Sequence, residues 1–127
     1  MAKNYENKAD HNQDFLDSLV RDYENFYFDW KVTVQFYIAL HRSYCILISK
    51  GLSISTSHKT NISELGNIER SLGISLNKLF THSRQSRYEG FLTPDAMERI
   101  NKINFNNNIA FLAEINSKVS NYYPIPA

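Results

Sequence analysis

Apolar residues recur at steps of three and four along most of this chain, with polar residues between them. That period predicts helices rather than strands. Asn12, Phe15, Leu16, Leu19, Val20, Tyr23 and Phe26 form one stripe, which predicts a first helix over residues 5 to 26. A second runs from Asp29 to Lys50, with Asp29 as its N-cap and Gly51 closing it in the left-handed conformation. The stretch VTVQFYI within it has strand propensity. The apolar pattern continues to Ile48 without a turn residue, however, which is too long for a strand. Residues 52 to 60 read as a polar loop. Asn61 and Glu64 resemble a capping box opening a short third helix to Leu72, with Gly73 as the break. Ser75 caps a fourth helix ending near Glu89. Thr93 followed by Pro94 starts a fifth, reaching Asn121, whose polar centre from Asn104 to Asn108 is bent or exposed. The expected fold is all-α, an up-down bundle of four main helices plus a short extra one, in a single domain over residues 1–127. Residues 1–4 and 122–127 read as flexible tails.

At 100° per residue, Val34, Tyr37, Ile38, Tyr44, Cys45 and Ile48 cluster around Trp30, and His41 lies at the centre of that face. Phe36, Leu40 and Leu47 cover a second side. Only a narrow strip, Lys31, Gln35, Arg42 and Ser49, is polar. A helix this apolar around its circumference belongs at the middle of the bundle. His41 is therefore expected to be buried and Arg42 exposed.

Composition narrows the function classes. Fourteen Lys and Arg against thirteen Asp and Glu give a net charge of +1, which argues against bulk electrostatic binding of nucleic acid. The single cysteine, Cys45, excludes an internal disulfide and a multi-cysteine zinc site. A polar N-terminus without an apolar core and the absence of an uninterrupted membrane-length run lead to the expectation of a soluble, cytoplasmic protein. The surplus of Tyr and Phe follows helical spacing, so it reads as core rather than as a base-stacking platform.

Several residues carry candidate chemistry. His41 is either a neutral core imidazole bonded to Tyr37, Tyr44 or a backbone carbonyl, or part of a polar pocket with Arg87, His58 and a tyrosine. Leu76, Leu79, Phe80 and Ser83 make the inner face of the fourth helix, and Arg87 lies on the same line. A buried guanidinium requires a partner, for which Asp29 is expected and Glu64 or Glu69 is the alternative. In HSRQSRYEG, Arg84 and Arg87 either bind phosphate or serve as one solvated arginine and one structural ion pair. His41 and Cys45 share a face at i,i+4, but two ligands do not make a metal site, so Cys45 reads as a packed thiol. No phosphate loop, nucleophile elbow or His-Glu-x-x-His occurs. No metal or cofactor is expected.

Three segments, DWKVTVQFYIALH from Asp29 to His41, TSH from Thr56 to His58 and SRQSRY from Ser83 to Tyr88, together with HNQDFLDSL from His11 to Leu19, resemble the HEPN superfamily, the higher eukaryotes and prokaryotes nucleotide-binding domain. The resemblance implies a four- or five-helix bundle, often dimeric, with roles in prokaryotic toxin–antitoxin pairs, phage defence or stress response. Many such domains are metal-independent ribonucleases with an arginine followed, after four to six residues, by a histidine; others are non-catalytic partners of nucleotidyltransferases. Here no arginine has a histidine at that spacing: Arg42 is followed by Leu47, Ile48 and Ser49, Arg84 by Glu89, Gly90 and Phe91, and Arg21, Arg70, Arg87 and Arg99 fail likewise. The residues matching the subgroup are Asp29, Trp30, His41, His58, Arg87 and Tyr88.

The expectation is therefore a non-catalytic module binding a nucleotide, RNA or a partner protein such as a nucleotidyltransferase, through Asp29, Tyr37, His41, His58, Arg84, Arg87 and Tyr88. The aromatic surplus and the resemblance point to a homodimer. The alternatives are an atypical ribonuclease or nucleotide-processing enzyme using His41, His58 and Arg87, and a purely structural scaffold.

Overall fold

A computed structural model describes residues 1–88 and 93–124, with side chains for 1–86 and 93–124. It has five helices and no strand among the described residues: α1 Ala2–Asp22, α2 Phe28–Ser49, α3 His58–Ile68, α4 Arg70–Tyr88 and α5 Pro94–Lys118, followed by a 3-10 turn, Val119–Asn121. An all-α bundle is what the apolar period predicts. α2 is its axis and touches α1, α3, α4 and α5, whereas α1 packs on α2 alone. Phe36, Ile38, Leu40 and Ile46 of α2 meet Leu16 and Leu19 of α1, Leu72, Leu76 and Leu79 of α4, and Leu112 and Ile115 of α5 in one core.

The ends of the helices follow local chemistry, in part not as expected. Gly51 closes α2 at φ 77°, and Thr93 Oγ1 accepts from the Ala96 amide at 3.2 Å, with Pro94 in the first turn of α5. Asp29 is not the N-cap of α2; it sits in the first turn, and Tyr27 holds the cap position at φ 61°. α1 begins at Ala2 and ends at Asp22, four residues before the expected Phe26. Its end is held by Lys31, whose Nζ donates to the Tyr23 carbonyl at 2.5 Å and the Glu24 carbonyl at 3.3 Å. Carbonyls at a helix C-terminus carry partial negative charge and favour a cation there.

Asn61 does not open α3. Ser57 does, its Oγ accepting from the Thr60 amide at 3.3 Å. Asn61 clamps the preceding loop instead, accepting from the Ser55 amide and donating to the Ser55 carbonyl, both at 2.9 Å. The break expected at Gly73 falls at Glu69, which is extended at φ −154°. Gly73 lies inside α4, where α3 crosses it. A Cβ on Gly73 would stand 2.5 Å from the Gly66 Cα, so the two glycines set how closely the helices approach. Lys118 ties this corner to α5, bonding Glu69 at 2.7 Å and Glu114, while Tyr122 donates to Glu69 at 3.0 Å.

The largest correction concerns the polar strip of α2. Lys31 and Gln35 are each only 1% exposed, and they face α5 rather than solvent. The asparagine-rich centre of α5 is likewise buried: Asn101, Asn104 and Asn108 point inward. Gln35 Nε2 donates to the Phe105 carbonyl at 3.1 Å, and Asn108 Nδ2 donates to Gln35 Oε1 at 3.0 Å. Asn108 Oδ1 lies 2.6 Å from His82 Nδ1, and Asn104 Nδ2 donates to Gln85 Oε1 at 3.2 Å. A carbonyl can only accept, so the Phe105 oxygen orients the Gln35 amide. Gln35 then orients Asn108, and His82 must carry its proton on Nδ1. Arg42, expected in solvent, bridges Asp10 of α1 at 2.9 Å and Asn116 of α5 at 3.1 Å.

Trp30 is the converse. Placed at the centre of the inward face by periodicity, it is 56% exposed, and Phe15, Val20, Tyr23, Phe26 and Tyr27 are exposed around it.

Candidate functional site

The exposed flank of α2 carries two clefts; of the sequence-predicted site residues, Asp29 and Tyr37 line the first and His41 the second. The first, about 330 Å³, is lined by Asp29, Trp30, Thr33 and Tyr37 of α2 and Ser86 of α4. Thr33 Oγ1 donates to the Asp29 carbonyl at 2.9 Å and lies 3.2 Å from Ser86 Oγ, which itself donates to the Ser83 carbonyl at 2.7 Å. These bonds fix the floor where α2 passes α4. The side chains of Arg87 and Tyr88 lie outside the described residues, and with them the expected Arg87–Asp29 pair. Of the alternative partners, Glu69 is already held by Lys118 and Tyr122.

The second cleft, about 500 Å³, opens between α1 and α2 and is lined by Asn7, Lys8, His11, Asn12 and His41. On α1 the first four stand at i, i+1, i+4 and i+5, which is one helical face. His41 is not sealed in the core; it is half-buried at the inner wall. Its ring stacks on Tyr5 with centroids 6.0 Å apart and planes 18° apart, and Tyr37 and Tyr44 flank it at 6.2 and 6.0 Å. Asn12 Nδ2 approaches His41 Nδ1 at 3.4 Å; as donor it makes Nδ1 the acceptor and places the neutral ring's proton on Nε2. Burial, with Lys8 nearby, lowers the His41 pKa below the ordinary imidazole value. The cleft's charged lining groups among the described residues are all cationic or potentially so: Lys8, His11 and His41.

His58 does not join them. Its ring packs edge-on against Phe36 at 5.5 Å and Phe80 at 5.4 Å, and its Nδ1 is buried without a hydrogen-bond partner. It stands at the start of α3, on the other side of α2's aromatic row from the His41 cleft. Arg84 is exposed, its guanidinium 5.6 Å from the Phe80 ring centroid. Cys45 is buried; its thiol donates to the Ala2 carbonyl at 3.4 Å, and burial pushes its pKa up to about 11. A thiolate–imidazole pair with His41 does not form at neutral pH. Among the described residues no group of three His, Cys, Asp or Glu side chains can hold a metal, and no helix is long and apolar enough to cross a membrane.

Periodicity singled out His41 and Tyr37 but missed Asn7, Lys8, His11, Thr33 and Ser86. The signal was present in Asn7, Lys8, His11 and Asn12, a polar face running beside the apolar stripe of α1. Comparison with protein-family models, with curated proteins and with solved structures finds no match for this chain.

Proposed function

We propose that this chain is a non-catalytic helical module of the HEPN kind that binds an anionic ligand, a nucleotide or a short RNA end, in the cleft at His41. The observation that carries the reading is the convergence of Lys8, His11 and His41, with two asparagine amides, on one concave surface. A phosphate needs donors and positive charge, which this lining supplies. Lys8 makes no ion pair among the described residues; its ammonium lies 5.4 Å from the Tyr5 ring centroid, with no carboxylate to compete with an anionic ligand. Catalysis is disfavoured by the separate settings of His41 and His58, because an acid–base pair must reach the same proton. The resemblance supplies the setting: a prokaryotic toxin–antitoxin, defence or stress system, with a nucleotidyltransferase or other protein as partner.

The test is a titration of the protein with adenosine monophosphate and a short oligoribonucleotide, followed through the imidazole NMR signals of His11 and His41. Both signals shift saturably, Lys8→Glu weakens binding roughly tenfold, and the RNA stays intact. Unmoved imidazole signals refute the reading. RNA cleavage that disappears in His41→Ala would establish the ribonuclease instead.

A further inference from the structure

The corner where α1 turns into α2 leaves a cluster of large apolar side chains exposed. Of ten large apolar side chains exposed among the described residues, six fall between Phe15 and Trp30. Phe15, Leu19, Tyr23, Tyr27 and Trp30 line one continuous groove of about 250 Å³. The five exposed aromatics of this stretch are Phe15, Tyr23, Phe26, Tyr27 and Trp30. At about 150–250 Å² each and roughly half exposed, they leave on the order of 500 Å², the size of the largest apolar patch on a typical monomer, which is often functional. The turn beneath these side chains is braced. Lys31 clamps the turn from beneath through the Tyr23 and Glu24 carbonyls, and the Tyr23 and Tyr27 rings pack edge to face at 5.0 Å. Rigid, exposed aromatics lose little entropy on binding, which is why they anchor interfaces.

The charge of the corner selects the occupant. Between Asp14 and Trp30 the chain carries five carboxylates, Asp14, Asp17, Asp22, Glu24 and Asp29, and one arginine, Arg21, which Asp22 already holds at 3.0 Å. The whole chain is +1, so this segment is an acidic island in a molecule that is otherwise basic. Nucleic acid is repelled from it. A second copy docking the same face would oppose like charges across the two-fold axis.

We infer that the Trp30 corner docks a segment of a partner protein that carries lysine or arginine beside an apolar anchor. The anchor enters the groove between Phe15, Leu19, Tyr23 and Trp30, and the cations meet the exposed carboxylates of Asp22 and Glu24, which flank Tyr23 in the chain. This surface is independent of the His41 cleft, and its failure would leave that reading untouched.

The experiment is selection of random displayed peptides on the immobilised full chain, with parallel selection on Trp30→Ala and on Asp22→Lys/Glu24→Lys. Both variants change exposed side chains, and their unfolding midpoints are measured alongside. Peptides enriched in Lys or Arg together with aromatic or aliphatic residues are expected. They are lost on Trp30→Ala and bind roughly tenfold more weakly to the charge-reversed chain. Enrichment of acidic peptides, absence of enrichment, or peptides indifferent to Trp30→Ala overturns the inference. So does a change in the emission of Trp30, the single tryptophan, on adding polyuridylate, which assigns the corner to nucleic acid. A change on raising protein concentration, with light scattering showing a dimer, assigns it to a second copy.

Discussion

The seam between α2 and α5 and the corner between α1 and α2 reverse the usual placement of residues. At the seam Lys31, Gln35, Asn101, Asn104 and Asn108 are buried; at the corner Phe15, Tyr23, Phe26, Tyr27 and Trp30 face outward. The difference lies in what each surface meets. At the seam the directionality of Gln35, Asn108 and His82 sets how α2, α4 and α5 fit, while Asn101 Oδ1 stays buried without a hydrogen-bond partner. At the corner α1 has α2 as its sole helical neighbour, and nothing within the described residues covers its flank. Polar residues hold the fold at the seam, and apolar residues stay exposed at the corner.

The comparison breaks most readily at its buried side. Asn108→Leu strands the Gln35 and His82 bonds and is expected to cost about 2–3 kcal/mol in denaturant unfolding. The double variant Gln35→Leu/Asn108→Leu should lose less than the sum of the two single changes, because an orphaned partner is removed as well. Lys31→Met comes next, at about 1–2 kcal/mol, with faster amide exchange between Tyr23 and Phe28 as the end of α1 loses its clamp. On the exposed side, Phe26→Ser and Trp30→Ser should change stability by no more than about 0.5 kcal/mol. A larger loss would mean that the corner holds the fold after all.

The smallest effect concerns pH at the His41 cleft. The folded-state pKa of His41 is lowered by burial, with Lys8 nearby, so the unfolded chain takes up the proton first. This contribution to stability is present above the ordinary imidazole value of 6.5 and is lost as pH falls below it. His41→Gln should flatten that part of the unfolding profile. Bound phosphate should do the opposite of desolvation, raising the His41 pKa, so anion affinity increases toward acid.

Much of the fold was legible. Long apolar periodicity located α2 to within a residue at each end, and Gly51 and the Thr93–Pro94 pair marked helix ends through local stereochemistry. The break at Glu69 was not legible, because no proline or glycine stands there and the extended backbone is imposed by packing of α3 on α4. A helical wheel also ranks faces by polarity without knowing what each face meets. It therefore sent Gln35 to solvent and Trp30 to the core. The spacing of Asn101, Asn104 and Asn108, one turn apart on a single face, was the available sign of a polar partner for Gln35. In the candidate site, His41 was legible as an anomaly on an apolar helix, and Tyr37 as its neighbour on that face. Lys8 and His11 stood on a polar face of α1 that was legible in the sequence, but that this face meets His41 appears only when α1 lies against α2.

Because the chain has a single tryptophan, its fluorescence tests the inverted corner most directly. In dilute protein at neutral pH, Trp30 emission should lie close to that of free tryptophan in water and be readily quenched by acrylamide. A blue-shifted emission shielded from acrylamide, with the chain monomeric, would place Trp30 in the core and contradict the account.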